Sequence, residues 1–427
     1  MSDIALDTAV LPDRLAATVA DPFAYADWDR VHVALGEIRR DYPFARATLD
    51  GYNPFWVASK YEDIQSVARN TDVFLSGLGG LDDNATLDFA KKAGVGQQFR
   101  SIVAMNEPDH MKYRMLTQAW FQPKNLKKLE DNIRALASRF VDRLADAGGE
   151  CDFVSEVAVH YPLLVVMSIL GVPEEDEPMM LRLTQEYFGS KDQELNRSKG
   201  SASPEEAARF LNEVIDEAHD YFKKISEDRR KNPTDDLASV VANSVIDGRP
   251  ISDVDAMGYY ITAAFAGHDT TSSSTAGGIW ALAERPEQFR RAKEDLSLVP
   301  ALVEESIRWT TPIHQFVRMA GQDTEVRGQT VRAGDWVVLS FPSGNRDEDA
   351  FDAPFEFRID RKPNKQIGFG YGTHMCLGMH LARMEMSIFF EEFLKRVDRL
   401  ELAGTPKRTV TNWVGGPKYV PVSYSLV

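Results

Sequence analysis

Cysteine is scarce: Cys151 and Cys376 are the only two in 427 residues, and no C-x-x-C pair occurs. That excludes a disulfide framework, and also a structural zinc site, which needs about four ligands at short spacing. Positive charge is also short, with 49 Lys and Arg against 65 Asp and Glu and a formal net charge of −16. Such a field repels polyanions, so nucleic acid is not expected as a partner. No apolar run reaches the roughly 20 residues that cross a bilayer. The longest, around Met257 to Gly267, is interrupted by His268 and Asp269. The opening Met-Ser-Asp-Ile-Ala-Leu-Asp lacks the basic and apolar regions of a signal peptide. No repeat, low-complexity tract or Pro/Gly/Ser linker divides the chain. Together these absences predict a cytoplasmic protein with no membrane contact, folded as a single domain over residues 1–427.

The chain has ample material for a large core, with 43% hydrophobic and 27% charged residues. Its periodicity predicts a mainly α fold with small β regions, of the α+β class. A strand is expected at Phe55 to Ala58 and a helix from about Lys60 to Arg69. Residues 76–104 are Gly-rich and read as a long irregular loop. Amphipathic patterns follow at about 124–147, 155–170, 174–188 and 204–231, with a polar turn between Lys191 and Ser203. Ser252-Asp-Val-Asp255 fits a helix start, and Pro286 lies just past the plausible end. That helix would run about 45 Å, enough to cross the domain. A charged helix is expected at Pro300 to Trp309, short strands from Thr324 onward, and a hairpin over Val410 to Leu426 bent at Gly415-Gly-Pro417.

Two segments carry chemistry. In Phe369-Gly-Tyr-Gly-Thr-His-Met-Cys-Leu-Gly378, Gly370 and Gly372 permit a tight bend beneath a flat ligand. Cys376 would open a helix from Leu377 to Leu394, whose N–H groups favour a thiolate, with Phe369 as a shield. A Gly-rich turn around an incidental buried cysteine is the competing reading. In the middle of the long helix stands Ala266-Gly-His-Asp-Thr-Thr271. Polar side chains there can bond back to carbonyls and open the helix locally, although the segment also reads as a helix end running into a polar loop. His268 points about 100° away from Asp269 and is assigned a structural role.

The complete pattern F-G-x-G-x-H-x-C-x-G resembles the cysteine-ligand loop of the cytochrome P450 family, and the resemblance extends along nearly the whole chain. It implies that fold, a long helix over haem b and a cysteine loop beneath it, with Cys376 as the axial iron ligand. By the same resemblance Thr270 and Asp269 are catalytic, the first placing a hydroxyl beside activated dioxygen and the second feeding protons. Glu305-Ser-Ile-Arg308 places two side chains on one helical face. It resembles the family's buried pair behind the haem, with Arg361 as third member. His110, Arg114, Arg318 and His374 are implied as partners of the haem propionates. Ala266, Gly267, Phe369, Gly370 and Gly378 complete the cofactor site.

Helical turns back from Thr270 bring Ala263, Thr262 and Tyr259 to or near its face, and the resemblance adds His314, Phe316, Trp413 and Val414 to the substrate pocket. Several stretches, among them Leu170-Gly-Val-Pro-Glu-Glu-Asp-Glu-Pro and Val414-Gly-Gly-Pro-Lys, resemble most closely the bacterial terpene-hydroxylating members. A monoterpene or an alkyl-aromatic hydrocarbon is the implied substrate, hydroxylated with O2. The length leaves no room for a flavin domain, so electrons are expected from a ferredoxin with a separate reductase, and the chain is expected to act as a monomer. Basic residues that could dock the donor are Lys112, Arg114, Lys124, Lys127 and Lys128, with Arg361, Lys362, Lys365 and Arg383. Two other readings are a non-enzymatic haem sensor or carrier, against which the Asp269-Thr270 pair speaks, and a cysteine hydrolase using His374, which lacks an orienting third group.

Overall fold

The structure, a computed structural model, describes residues 8–95, 99–195 and 203–427. Its axis is the helix Asp253–Ala283. Ser252 starts it by accepting a hydrogen bond from the Asp255 N–H at 3.2 Å, which satisfies one of the donors every helix start leaves open. The helix is apolar nearly all round and buried along most of its length, as a helix through the centre of a large fold must be. It packs on Tyr161–Leu170 and Val299–Thr310. Small residues permit the close approach: a Cβ at Gly258 would collide with the Arg100 carbonyl, and one at Gly277 with the Thr310 hydroxyl.

One mixed sheet stands beside the helices. Its strands are β1 (Phe44–Ala47), β2 (Phe55–Ala58), β3 (Phe74–Leu75), β4 (Gln315–Ala320) and β5 (Trp336–Ser340), in the spatial order β1-β2-β5-β4-β3. Strand β5 runs parallel to β2 and antiparallel to β4, so that Arg318 stands opposite Val337. The strand expected at Phe55–Ala58 and the helix after it, Tyr61–Arg69, are present.

Three expectations need correction. Residues 76–104 are not wholly irregular, because Asn84–Ala93 is helical, capped by Asp83 and ended by Gly94 at φ +70°. The tail is not a single hairpin. Lys407–Arg408 pairs with Pro417–Tyr419, whereas Pro421–Leu426 leaves to pair with Val397–Leu402 and Glu150–Asp152. Pro417 therefore begins a strand rather than forming a bend. The helix after the cysteine is Met379–Arg396, beginning later than expected, because the Cys376 N–H is held by the Phe369 carbonyl at 2.8 Å and keeps the chain in the loop. Residues 196–202 of the polar turn, 96–98 of the Gly-rich segment and 1–7 of the start lie outside the described residues.

Candidate active site

A cavity separates the middle of the long helix from the cysteine loop. Tyr259, Thr262, Ala263, Ala266, Gly267 and Thr270 line it from the helix, and Phe369, Gly370, His374, Cys376 and Gly378 from the loop. His110, Arg114, Phe316 and Arg318 close its sides. Sequence reasoning thus assembled fifteen residues that the fold does bring to one space.

The loop's shape depends on Gly370 and Gly372, both at φ +74°. A Cβ on Gly372 would lie 2.7 Å from the Ala68 carbonyl. Phe369 is covered by the Arg383 guanidinium, 4.6 Å from the ring centre. Burial pushes the Cys376 thiol up, against the Gly378 N–H and the fields of Arg114 and Arg383. The helix start lies three residues beyond the sulfur, at Met379, and a metal cation at the sulfur would displace the thiol proton.

Around the cavity the polar groups are cationic or neutral. The rings of His110 and His374 stack at 3.9 Å between centres. Glu107 holds His110 Nδ1 at 3.1 Å, and Ser76 holds His374 Nε2 at 3.2 Å. Burial, helped by His110, Arg318 and Arg114, pushes His374 down to about 3. Arg114 donates to the Met375 carbonyl at 2.7 Å. Arg318 donates only to the neighbouring Val317 carbonyl, its Nε has no partner, and burial lowers its pKa to about 10. Neither arginine has a carboxylate partner among the described residues.

A buried guanidinium without a counter-ion is costly, and Arg318 is one; with half-buried Arg114 beside the same cavity it calls for a ligand with its own anionic groups. Among the described residues no group of three or more His, Cys, Asp or Glu converges as a metal would require. The site offers one thiol, so any metal must arrive with most of its ligands supplied. A flat metalloporphyrin with two carboxylate arms meets both conditions.

On the helix, Thr270 Oγ1 donates to the Ala266 carbonyl at 3.0 Å and Thr271 Oγ1 to that of Gly267 at 3.3 Å. The local opening foreseen there takes the form of back-bonds within an uninterrupted helix. Asp269 does not itself line the cavity. It is half-buried, has no hydrogen-bond partner among the described residues, and burial raises its pKa to about 7. His268 is fully buried with Nε2 on the Val159 carbonyl at 2.8 Å, which bears out its structural assignment.

Behind the loop, Arg308 forks onto Glu305 through two 2.8 Å bonds, and Arg361 Nε reaches the same carboxylate at 3.1 and 3.2 Å. The Arg308 guanidinium also donates to the carbonyls of Asn345, Pro354 and Glu356. Burial pushes Glu305 up, but these partners prevail and its pKa lies below the ordinary carboxylate range.

Three pocket residues are placed elsewhere. His314 lies one residue before β4, where its N–H bonds to the Trp413 carbonyl. Strand alternation therefore does not carry it to the face of Phe316. Its ring stacks on Tyr25 at 4.8 Å. Trp413 packs among Phe188, Tyr187 and Phe316, and Val414 is buried and bridged to Ile313. None of the three lines the cavity with Cys376.

The sequence also hid Glu385, a buried acid on the cavity wall near Thr271, whose pKa burial raises well above its ordinary value. In a helix as charged as Met379–Arg396, one glutamate carries no signal of burial.

The cytochrome P450 family model matches residues 21–418, and the chain belongs to that family. It is a monooxygenase whose cofactor is haem b. It is 46% identical over 422 residues to Cytochrome P450-terp from a Pseudomonas species, covering 98% of this chain and 99% of that one. A steroid C26-monooxygenase of Mycolicibacterium smegmatis is 32% identical over 399 residues, with 92% and 90% covered. Among solved structures, CYP108D1 from Novosphingobium aromaticivorans matches with a TM-score of 0.91 at 41% identity, covering 98% of this chain and all of that one. CYP268A2 of Mycobacterium marinum, solved with pseudoionone, matches at 0.84 and 31% identity, covering 92% and 95%. Among the described residues no helix is long and apolar enough to cross a membrane.

Proposed function

We propose that this enzyme hydroxylates a small hydrophobic substrate, a monoterpene or alkyl-aromatic hydrocarbon, with electrons from a ferredoxin and its separate reductase. The chain works as one haem domain, as a monomer in the cytoplasm. The carrying observation is the one cavity that both Cys376 and Thr270 line. Likeness to Cytochrome P450-terp over almost the full length supports the substrate class, as do the apolar walls supplied by Ile102, Phe121, Val166, Ala263 and Phe316.

Cys376 would hold the haem iron. Arg114, Arg318, His110 and His374 would take the propionates, and Ala266, Gly267, Phe369, Gly370 and Gly378 would contact the macrocycle. When bound, thiolate-ligated haem activates dioxygen and inserts one oxygen atom into a C–H bond, the sulfur's electron density favouring O–O cleavage. Thr270 offers a hydroxyl that can exchange its bond to the Ala266 carbonyl for one into the cavity. Asp269, near half-protonation at neutral pH, takes protons from water and passes them on. The Glu305–Arg308–Arg361 cluster fixes the backbone beneath the loop.

Replacing Thr270 by Ala should leave haem and substrate binding intact while diverting reducing equivalents to hydrogen peroxide. Product formed per NADH consumed measures this, and unchanged coupling removes Thr270 from the role. For the substrate, the test is a titration of the ferric enzyme with monoterpenes, alkylbenzenes and a steroid while following the spin state. A saturable low- to high-spin shift with the small hydrocarbons is expected, and a response to the steroid alone contradicts the assignment.

The donor's docking face is narrower than its sequence outline. Arg361 is buried and Arg114 is turned to the cavity, while Lys112, Lys128 and Arg383 pair with Asp247, Asp235 and Glu304. Lys124, Lys127, Lys362 and Lys365 have no ion pair among the described residues, and they are the basic groups proposed to steer an acidic ferredoxin in a salt-sensitive way.

A further inference from the structure

A second large cleft shares no residue with the haem cavity. It opens between the helix Trp28–Asp41, the C-terminal part of the long helix, Trp309-Thr310 and the strand Lys407–Arg408. Its floor carries two guanidiniums, Arg346 and Arg408, only 1% and 7% exposed. Neither has a carboxylate partner among the described residues. Arg346 donates to the Arg308 and Trp309 carbonyls and leaves Nε unpaired. Arg408 makes a single bond, at 3.5 Å, to the Thr310 carbonyl, and its Nε has no partner. Its carbon centre lies 3.8 Å from the middle of the Trp28 ring, a stack that leaves the edge of the fork available.

Neighbouring polar atoms are equally unmet. Both nitrogens of buried His32, Trp28 Nε1 and Thr310 Oγ1 lack partners. The charges felt by His32 are all arginines, Arg346, Arg39, Arg408 and Arg308. Acids do stand on the rim: Glu348 is paired with Arg39, Asp349 with Lys60, Glu37 with Arg14 and Glu284 with Arg285, Asp27 accepts from the Arg30 N–H at the helix start, and Asp29 has no ion pair among the described residues.

Unpaired buried cations and orphaned donors in one cleft, on a chain of net charge −16, are costly unless an anion completes them. We propose that this cleft binds a compact oxyanion, a carboxylate or phosphate head, forked by Arg408 on the floor shared with Arg346 and flanked by the Trp28 indole. The ligand is separate from the hydroxylation substrate, and the site stands whether or not the substrate assignment does.

The test is thermal unfolding of the haem-loaded enzyme at fixed ionic strength, replacing chloride stepwise by sodium phosphate or by sodium benzoate. Anything that binds only the native state raises the melting temperature with concentration. We expect a saturable rise with at least one of the two anions, and which one it is tells the phosphate head from the carboxylate. R408Q should abolish the rise, and should itself melt higher than wild type in chloride because it loses an unpaired buried charge. R408K, which keeps the charge without the fork, should weaken binding about tenfold and decides the matter if R408Q does not fold. A wild-type enzyme that responds to neither anion, or an R408K variant with undiminished response, overturns the proposal. The spin-state titration with hydrocarbons should be the same in wild type and R408K, which keeps this outcome distinct from that of the substrate assignment.

Discussion

Asp269→Asn is expected to slow turnover by about 10²- to 10⁴-fold, the range a positioned proton donor contributes, while haem content and substrate binding stay close to wild type. The expectation rests on a carboxyl whose pKa is raised by burial from 3.8 to about 7. The protonated form is the donor, and its population falls as pH rises through and above 7. Wild-type turnover should therefore decline on the alkaline side, approaching tenfold per unit, and the Asn variant should lose that limb along with its rate.

Stability moves the other way. A carboxyl with a raised folded-state pKa costs nothing below its unfolded value, and the penalty grows above it and is complete above the folded value. Asn should thus stabilise the protein at pH 8 and leave it unchanged near pH 4. The ceiling is about 4 kcal/mol from the shift, lowered by the part of the carboxyl that reaches solvent. Steady-state rates and melts across pH measure both effects. A variant with wild-type rate and an unaltered alkaline limb removes Asp269 from proton delivery.

The second large effect is expected from Arg308→Met. It leaves Glu305 in the interior with Arg361 as its only remaining ion-pair partner among the described residues, and it strips donors from the Asn345, Pro354 and Glu356 carbonyls. Breaking a buried pair from one side costs about 3–5 kcal/mol, a large share of the roughly 5–15 kcal/mol that holds a domain together. Little soluble haem-loaded protein should be recovered, and its denaturant midpoint should fall sharply. A midpoint near wild type would mean that the cluster does not lock the fold.

Much of this was legible in the sequence because local chemistry and tertiary structure agree at the decisive points. Ser252 and Pro286 bracket the long helix because capping and proline act within a turn or two of the chain. The cysteine loop is legible because its glycines meet a local need, the positive φ at 370 and 372. What failed was set by distant contacts. His314 looked like a pocket residue by its spacing from Phe316, yet the Trp413 carbonyl fixes its backbone outside the strand. The helix Asn84–Ala93 is short and ends at a glycine, so its pattern was lost among Gly77, Gly79 and Gly80. Burial of Glu385, Arg346 and Arg408 depends on which elements cover them, and no neighbouring residue records it.

The central claim is that the Cys376 sulfur ligates haem iron. The most direct test is the absorbance spectrum of the purified protein, reduced under carbon monoxide, beside that of Cys376→Ala. The wild type should give the strongly red-shifted Soret band of thiolate ligation and the variant should lose it. An unshifted band in the wild type, or a red-shifted band that survives the substitution, would contradict the assignment.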